Sequence, residues 1–242
     1  MNLPNLSLVS SYADEYQRVE AAIRAEAKPD APLRILEAGC GQRWFADLSG
    51  IDFHLTGVDL DEAAMRIRQT EFGDLDEARI GDLLTIALPA ESFDVVYNSY
   101  VLEHVSDPDR LLENMLGWLR PGGLLILKIP DRHSVKGFFT RMTPHWFHIA
   151  YYRYYRRNPN AGRPGYVPYP TPFGRIVSRE GLHRFARERG SIIVDEFGRS
   201  TLVDDAGWMF QSALKLGHLL SLGRLHARYS DLTIFLRKPP IK

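Results

Sequence analysis

Residues 34–45, RILEAGCGQRWF, pass from an apolar, strand-like stretch into a turn that carries Gly39 and Gly41. Glycines there let the backbone come close to a ligand at the carboxyl end of a strand, where open α/β sheets hold their ligands. Twenty residues beyond Gly39, a second apolar run, HLTGVD, ends in Asp59. A carboxylate in that place can accept hydrogen bonds from both hydroxyls of a ribose. Turn and acid together imply a nucleoside ligand.

Two classes of enzyme, dinucleotide enzymes and methyltransferases, place an acid on a ribose in this way. The first class wants a further glycine and a helix N-terminus to seat a pyrophosphate. Here Arg43 stands at the next alternate position, Phe45 lies beyond it, and only RWFADLSGI separates the turn from the second strand. Any helix in between must be very short, and an NAD-dependent oxidoreductase is disfavoured.

The elements that must position these residues follow from periodicity. LRILEAG, FHLTGVD, FDVVYNS and GLLILKIP are short apolar runs rich in branched residues and read as buried parallel strands. SSYADEYQRVEAAIRAEA, with Tyr12, Tyr16, Val19 and Ile23 at helical spacing and Pro29 as its stop, reads as an amphipathic helix within a 1–30 cover. DEAAMRIRQTEF and DPDRLLENMLGWLRPGG are further helices, the second with Leu111, Leu112, Met115, Leu116 and Leu119 on one face. Strands alternating with helices predict a doubly wound α/β sheet. Residues 131–175, dense in Pro, Gly, Tyr, Arg and His, break the pattern and read as an insertion forming a lid or substrate wall. Regularity returns with SREGLHRFARERG, a helix from Ser178 to Gly190, and the strands SIIVDEF and DLTIFLRKP.

Composition bounds the partners. The 242 residues suit one domain, with 45% hydrophobic and 25% charged residues, as in globular chains. Thirty Lys and Arg balance thirty Asp and Glu. No global field therefore favours nucleic acid or an anionic membrane, and such a partner would need a local patch. The single cysteine, Cys40, excludes a disulfide framework and a thiolate zinc site of its own, and no metal is expected. The start, MNLPNLSLVSSYADEY, lacks the pattern of a signal peptide, and no stretch has the ~18 uncharged apolar residues of a spanning helix. The expected location is the cytoplasm.

ILEAGCG, the acid in GVDLD, GDLLTIALPAESFDVVYNSYVLEHV and LRPGGLLIL, in that order over roughly residues 33–129, resemble the class I S-adenosylmethionine-dependent methyltransferases of the small-molecule type. The resemblance implies a Rossmann-like, mostly parallel, seven-stranded sheet and S-adenosylmethionine as cofactor. It further implies that Glu37, Gly39 and Gly41 line the methionine part, with Cys40 between the glycines, and that Asp59 holds the ribose. Asp82 would meet the adenine amino group, Leu60 and Leu83 would flank the ring, and Asn98 and Ser99 would face the sulfonium and the acceptor. Arg43 departs from the E-x-G-x-G-x-G form; its bulk works against close helix packing, while its guanidinium can pair with the cofactor's carboxylate. Cys40 reads as a small buried filler, with no histidine near it in sequence to activate a thiol.

Methyl transfer to a hydroxyl or an acidic carbon needs a base, and a histidine near its reference pKa suits that role. His104, His133, His145 and His148 are the candidates. The resemblance brings the His104 segment, VLEHV, close to the methyl group. The alternative is that Glu103 and His104 simply start the next helix. His133, after IPD, is similarly placed beyond the following strand. Between Thr143 and Pro170, His145, Trp146 and His148 and six tyrosines, Tyr151 among them, lie among four arginines. That mixture can grip an anionic acceptor or a lipid headgroup, can stack on single-stranded RNA, or can form an aromatic-cored loop on its own domain. In GWMFQSALKLGHLLSLGRLHARY, Met209, Ala213, Leu216 and Leu220 share one face, which predicts a core-packing helix, with a membrane-surface or homodimer contact as the alternative. The sequence reading is an S-adenosylmethionine-dependent methyltransferase of a small or lipid-like acceptor, with oxygen favoured and nucleic acid disfavoured. A cofactor-binding scaffold without turnover is its competitor.

Overall fold

The computed structural model describes residues 3, 5–163, 166–169, 171, 174–200, 208–222 and 224–240. Its strands are β1 (Ser7–Val9), β2 (Leu33–Ala38), β3 (Phe53–Asp59), β4 (Glu77–Ile80), β5 (Phe93–Ser99), β6 (Leu119–Pro130), β7 (Ile192–Ser200) and β8 (Tyr229–Arg237). They form one eight-stranded sheet in the order β1-β7-β8-β6-β5-β2-β3-β4. Strands β4, β3, β2, β5 and β6 run parallel, and β8 lies antiparallel between β6 and β7.

The doubly wound sheet is present, with one strand more than the seven expected. The addition is β1, which pairs parallel with β7 at the edge. Its three residues, with Leu8 exposed, are too few for alternation to show in sequence. EARI, the β4 strand, is also unmarked in sequence, because none of its residues is buried and backbone pairing with β3 alone defines it.

Helices cover both faces. On one lies α1 (Tyr12–Arg24), capped by Ser11, whose side chain accepts from the Asp14 N–H. Its Val19 and Ile23 join Ile35, Leu55, Val95, Ile126 and Phe235 in one core. The opposite face carries α3 (Pro108–Trp118) and α6 (Arg179–Glu188), capped by Asp107 and Ser178. Leu111, Leu112, Met115, Leu182 and Phe185 pack there with Leu36, Val96, Leu125 and Ile234. The helix α2 (Glu62–Ile67) continues into a wider π turn, Arg68–Phe72, ended by Gly73 at φ 61°.

Two expectations are corrected, and the insertion gains detail. No helix, not even a short one, forms between β2 and β3. RWFADLSGI stays irregular because its polar backbone groups are met from outside: the Asp74 carboxylate accepts the Trp44 N–H, and Arg24 donates to the Asp47 and Ser49 carbonyls. Within 131–175 the insertion is partly helical, with α4 (Val135–Met142), α5 (His145–Ala150) and a π turn, Tyr151–Tyr155. The helix α7 (Trp208–Leu220) leaves Leu216, Leu219 and Leu220 exposed, so the predicted core packing does not hold for them. The side chains of Met209 and Ala213 lie outside the described residues.

Candidate functional site

All the parallel strands end at one edge, and the chemistry-bearing residues gather there. After β2, Gly39 and Gly41 adopt φ 81° and 56°, in the left-handed region that favours glycine. The Gly39 and Cys40 N–H groups both donate to the Val58 carbonyl, which folds the turn back over β3. A Cβ on Gly39 would lie 2.2 Å from the Val101 side chain, whereas one on Gly41 would meet nothing within 4 Å. The first glycine is thus required by packing, and the second faces open space.

Asp59 fixes this turn. Its two carboxylate oxygens accept from the Gly41 N–H at 2.8 Å and the Asp61 N–H at 2.9 Å. Beside it Leu60 is 68% exposed, a leucine with an uncovered apolar face. Beyond β4, Asp82 caps the following turn through the Leu84 N–H, and Leu83 is buried. Asn98, near the end of β5, donates to the Ala38 carbonyl at 2.8 Å, while its Oδ1 is buried without a partner.

Glu37 is held from a direction that sequence reading missed. Arg68, fully buried, donates to Glu37 Oε2 at 2.6 Å, to the Cys40 carbonyl at 2.8 Å and to Asp74 at 2.7 Å. Burial pushes the Glu37 carboxyl up, to about 8, against the pull of Arg68. The arginine is a strut under the glycine turn, and nothing in the helical pattern of RIRQTEF marks it. Cys40 is buried with its thiol 3.2 Å from the Met65 sulfur, and burial pushes that thiol up. Arg43 is exposed, and with no helix after the turn its bulk meets no helix packing.

The segment after β5 turns sharply. Tyr100 has φ 55°, strained for a non-glycine residue, and its N–H donates to the Lys128 carbonyl. Glu103 follows, 3% exposed, with Oε2 buried and unpartnered. Burial pushes its carboxyl up to about 8, and the Asp231 charge adds to the shift. His104 Nε2 lies 3.8 Å from Glu103 Oε1, its Nδ1 lies 3.4 Å from Thr171 Oγ1, and its ring meets Tyr169 edge-on at 5.9 Å. Tyr169 also donates to Asp61 at 3.2 Å. The insertion therefore crosses from the end of β3 to the end of β5.

The other predicted residues fall elsewhere. His133 Nδ1 is 3.3 Å from Glu180, on the α6 side. His148 pairs with Thr143 Oγ1 at 2.9 Å, while Trp146 packs on Phe147 and Tyr151 stacks on Tyr155 at 5.1 Å. His145 begins the same helix. The structure thus joins Glu103 and His104 with the insertion's Tyr169 and Thr171, and leaves α5 with contacts among its own neighbours.

A second polar group adjoins this edge under α1. Side-chain alternation puts Ser99, Lys128, Thr233, Asp231 and Arg199 on the α1 face of the sheet. Lys128 Nζ meets Glu15 at 2.7 Å, Arg199 pairs with Asp231, and the Arg199 guanidinium lies 4.2 Å over the Tyr12 ring. The signal available in sequence was the lysine of LLILKIP, since a charge inside a buried strand must find partners.

The edge fits a nucleoside cofactor on three observations: the open space over Gly41, the exposed Leu60 beside Asp59, and the orphaned Asn98 Oδ1. Fold and edge together define a class I S-adenosylmethionine-dependent methyltransferase domain. The chain belongs to the methyltransferase-domain family, whose model matches residues 11–193. It is 34% identical over 118 residues to a protein of Mycolicibacterium smegmatis named "Probable S-adenosylmethionine-dependent methyltransferase", covering 48% of this chain and 46% of that one. With a ubiquinone biosynthesis O-methyltransferase of Chelativorans sp. it shares 32% over 114 residues, 44% of each chain. The chain thus spans less than half the length of these two curated relatives.

Solved structures agree in fold. A SAM-dependent methyltransferase of Archaeoglobus fulgidus superimposes with a TM-score of 0.55 at 18% identity, over 94% of this chain and 98% of that one. The geranyl diphosphate C-methyltransferase of Streptomyces coelicolor gives 0.54 at 13%, over 93% and 76%.

Proposed function

We propose that this chain moves a methyl group from S-adenosylmethionine to an oxygen atom of a small or amphiphilic acceptor. The observation that carries the reading is the meeting, at one sheet edge, of the open glycine turn pinned by Asp59 and the Glu103–His104 pair roofed by the insertion. The relative named for ubiquinone biosynthesis supports oxygen as the accepting atom.

S-adenosylmethionine, when bound, supplies an electrophilic sulfonium methyl, which leaves the protein to align, dry and deprotonate. Gly39, Gly41 and Asp59 would hold its methionine and ribose, with Glu37 and Cys40 beneath the turn and Arg43 within reach of a carboxylate. Asp82, Leu60 and Leu83 would enclose the adenine, and Asn98 and Ser99 would face the reacting end. His104 takes the acceptor's proton. Glu103, its carboxyl pushed up to about 8 by burial and so largely protonated near neutrality, stands 3.8 Å from the imidazole and lends it no full counter-charge, so that His104 passes the proton on to solvent. His133, turned toward Glu180, is the alternative base. The 131–175 insertion walls the acceptor pocket through Tyr169 and Thr171, and His145, Trp146, His148 and Tyr151 form its outer rim.

The test is calorimetric titration of S-adenosylhomocysteine, followed by a methyl-transfer screen over phenolic and carboxylic acceptors with the wild type and His104→Ala. Binding lost in Asp59→Ala, with turnover lost in His104→Ala at unchanged cofactor affinity, is the expected result. Absence of binding overturns the reading, and binding without turnover on any acceptor favours a scaffold.

A further inference from the structure

Residues 132–163 carry seven arginines and lysines and no aspartate or glutamate, in a chain whose net charge is zero. The basic charge is therefore concentrated in one segment and balanced elsewhere. In the structure the same segment exposes large apolar side chains instead of coring them: Trp146 is 68% and Tyr154 84% exposed, and Met142, Phe147 and Tyr155 are open as well. Arg153, Arg156 and Arg157 are exposed among them.

The helix α7 extends this surface. It packs beside α4 so closely that a Cβ on Gly217 would lie 2.8 Å from the Val135 side chain. Leu219, Leu220 and Leu222 remain exposed there, with Lys215 and Arg224 exposed around them. Aromatic, aliphatic and basic side chains thus stand uncovered on α5 and on the packed pair α4 and α7, with α5 following α4 directly in the chain.

We propose that this surface docks the protein on a lipid bilayer bearing anionic headgroups. Tryptophan and tyrosine suit the interfacial layer, leucine and methionine suit the acyl boundary, and exposed arginines pair with phosphate. A second copy of the chain would set basic segment against basic segment. Single-stranded RNA would use the arginines and rings but leave the α7 leucines in water. Only the bilayer uses all three kinds of side chain.

The docking surface does not rest on the methyl-transfer reading, but it deepens it. The helix α4 starts at the carboxyl edge, just after β6, and Thr171 of the same insertion touches His104. A lipid-like acceptor held in the bilayer would then reach His104 along the insertion.

The experiment is co-sedimentation of the full chain with phosphatidylcholine vesicles, with and without phosphatidylglycerol, at physiological salt. The expected result is binding at least roughly tenfold tighter to the anionic vesicles, falling about fivefold for each of Arg156→Gln and Arg157→Gln. Trp146→Ser with Tyr154→Ser weakens binding to both kinds of vesicle. These side chains are exposed, so the variants keep the wild-type melting temperature. A chain that stays in solution with both vesicles, or partitions equally to both, overturns the proposal. So does a dimer that dissociates in Leu219→Ser/Leu220→Ser, or RNA binding lost in the arginine variants while vesicle binding is kept. S-adenosylhomocysteine titration on the same preparations reports separately on the methyl-transfer reading.

Discussion

Glu103→Gln separates the energetic state of the site from its chemistry. The Glu103 carboxyl is 3% exposed, and burial, helped by the Asp231 charge, raises it from an ordinary 4.5 to about 8. A group whose folded pKa lies above its unfolded value adds stability in full below the unfolded value, and that stability is lost as pH rises through the folded one. At about 1.4 kcal/mol per unit, Glu103 withdraws about 4 kcal/mol of folding free energy between about pH 5 and about pH 9. Glutamine keeps the shape and cannot ionise. Its amide has no ready partner where Oε2 has none, which adds a pH-independent cost of about 1–3 kcal/mol. Urea unfolding of both proteins across that range should show a stability difference that shifts in favour of the variant by about 4 kcal/mol, mostly above pH 6. The difference cancels the titrating groups remote from Glu103, leaving its own titration and its coupling to Asp231 and His104. Parallel stability curves would mean that the carboxylate is solvated or paired in the folded state, and the neutral state assigned to Glu103 beside His104 would fall with them.

Other perturbations probe the turn and its supports. Asp59→Ala frees the Gly41 N–H and should abolish S-adenosylhomocysteine binding in calorimetry while leaving a cooperative unfolding transition. Gly39→Ala drives a methyl into Val101 at a residue held at φ 81°, so thermal melting should show a loss of about 1–3 kcal/mol, and Gly41→Ala a smaller loss with weaker cofactor binding. Arg68→Met strips the cation from buried Glu37 and from Asp74 and should cost about 3–5 kcal/mol in urea unfolding. Lys128→Met leaves Glu15 with Arg199 and the Thr233 hydroxyl and should destabilise by a similar amount, with the change in amide exchange concentrated in α1.

Strands such as FDVVYNS were legible because burial on both faces of a parallel sheet leaves continuous apolar runs. The glycine turn and Asp59 were legible because close backbone approach demands glycine at a strand end and an acid closes the next strand, and the structure joins the two through the Gly41 N–H. EARI and Ser7–Val9 were not, because an edge strand is held by backbone hydrogen bonds that carry no side-chain signature. Arg68 shows the same limit in another form. Its partners are Glu37, 31 positions away, and Asp74 across the turn, and no periodicity encodes such a meeting.

The core packing predicted for Leu216 and Leu220 of α7 does not hold, for a physical reason. Leucines at helical spacing say that one face avoids water and do not say what covers it. The sheet already has its covers in α1, α3 and α6, so α7 packs through Gly217 onto α4 and leaves Leu216, Leu219 and Leu220 outward. Lys128 makes the opposite case. A lysine amid LLILKIP had to be paired, and the structure pairs it with Glu15 of the covering helix, directly beside Ser99 in the strand register. The charges that fasten α1 therefore sit next to the residues proposed to face the acceptor. Any acceptor that disturbs that pairing would loosen the cover as it binds, and amide exchange in α1, measured with and without acceptor, would reveal the coupling.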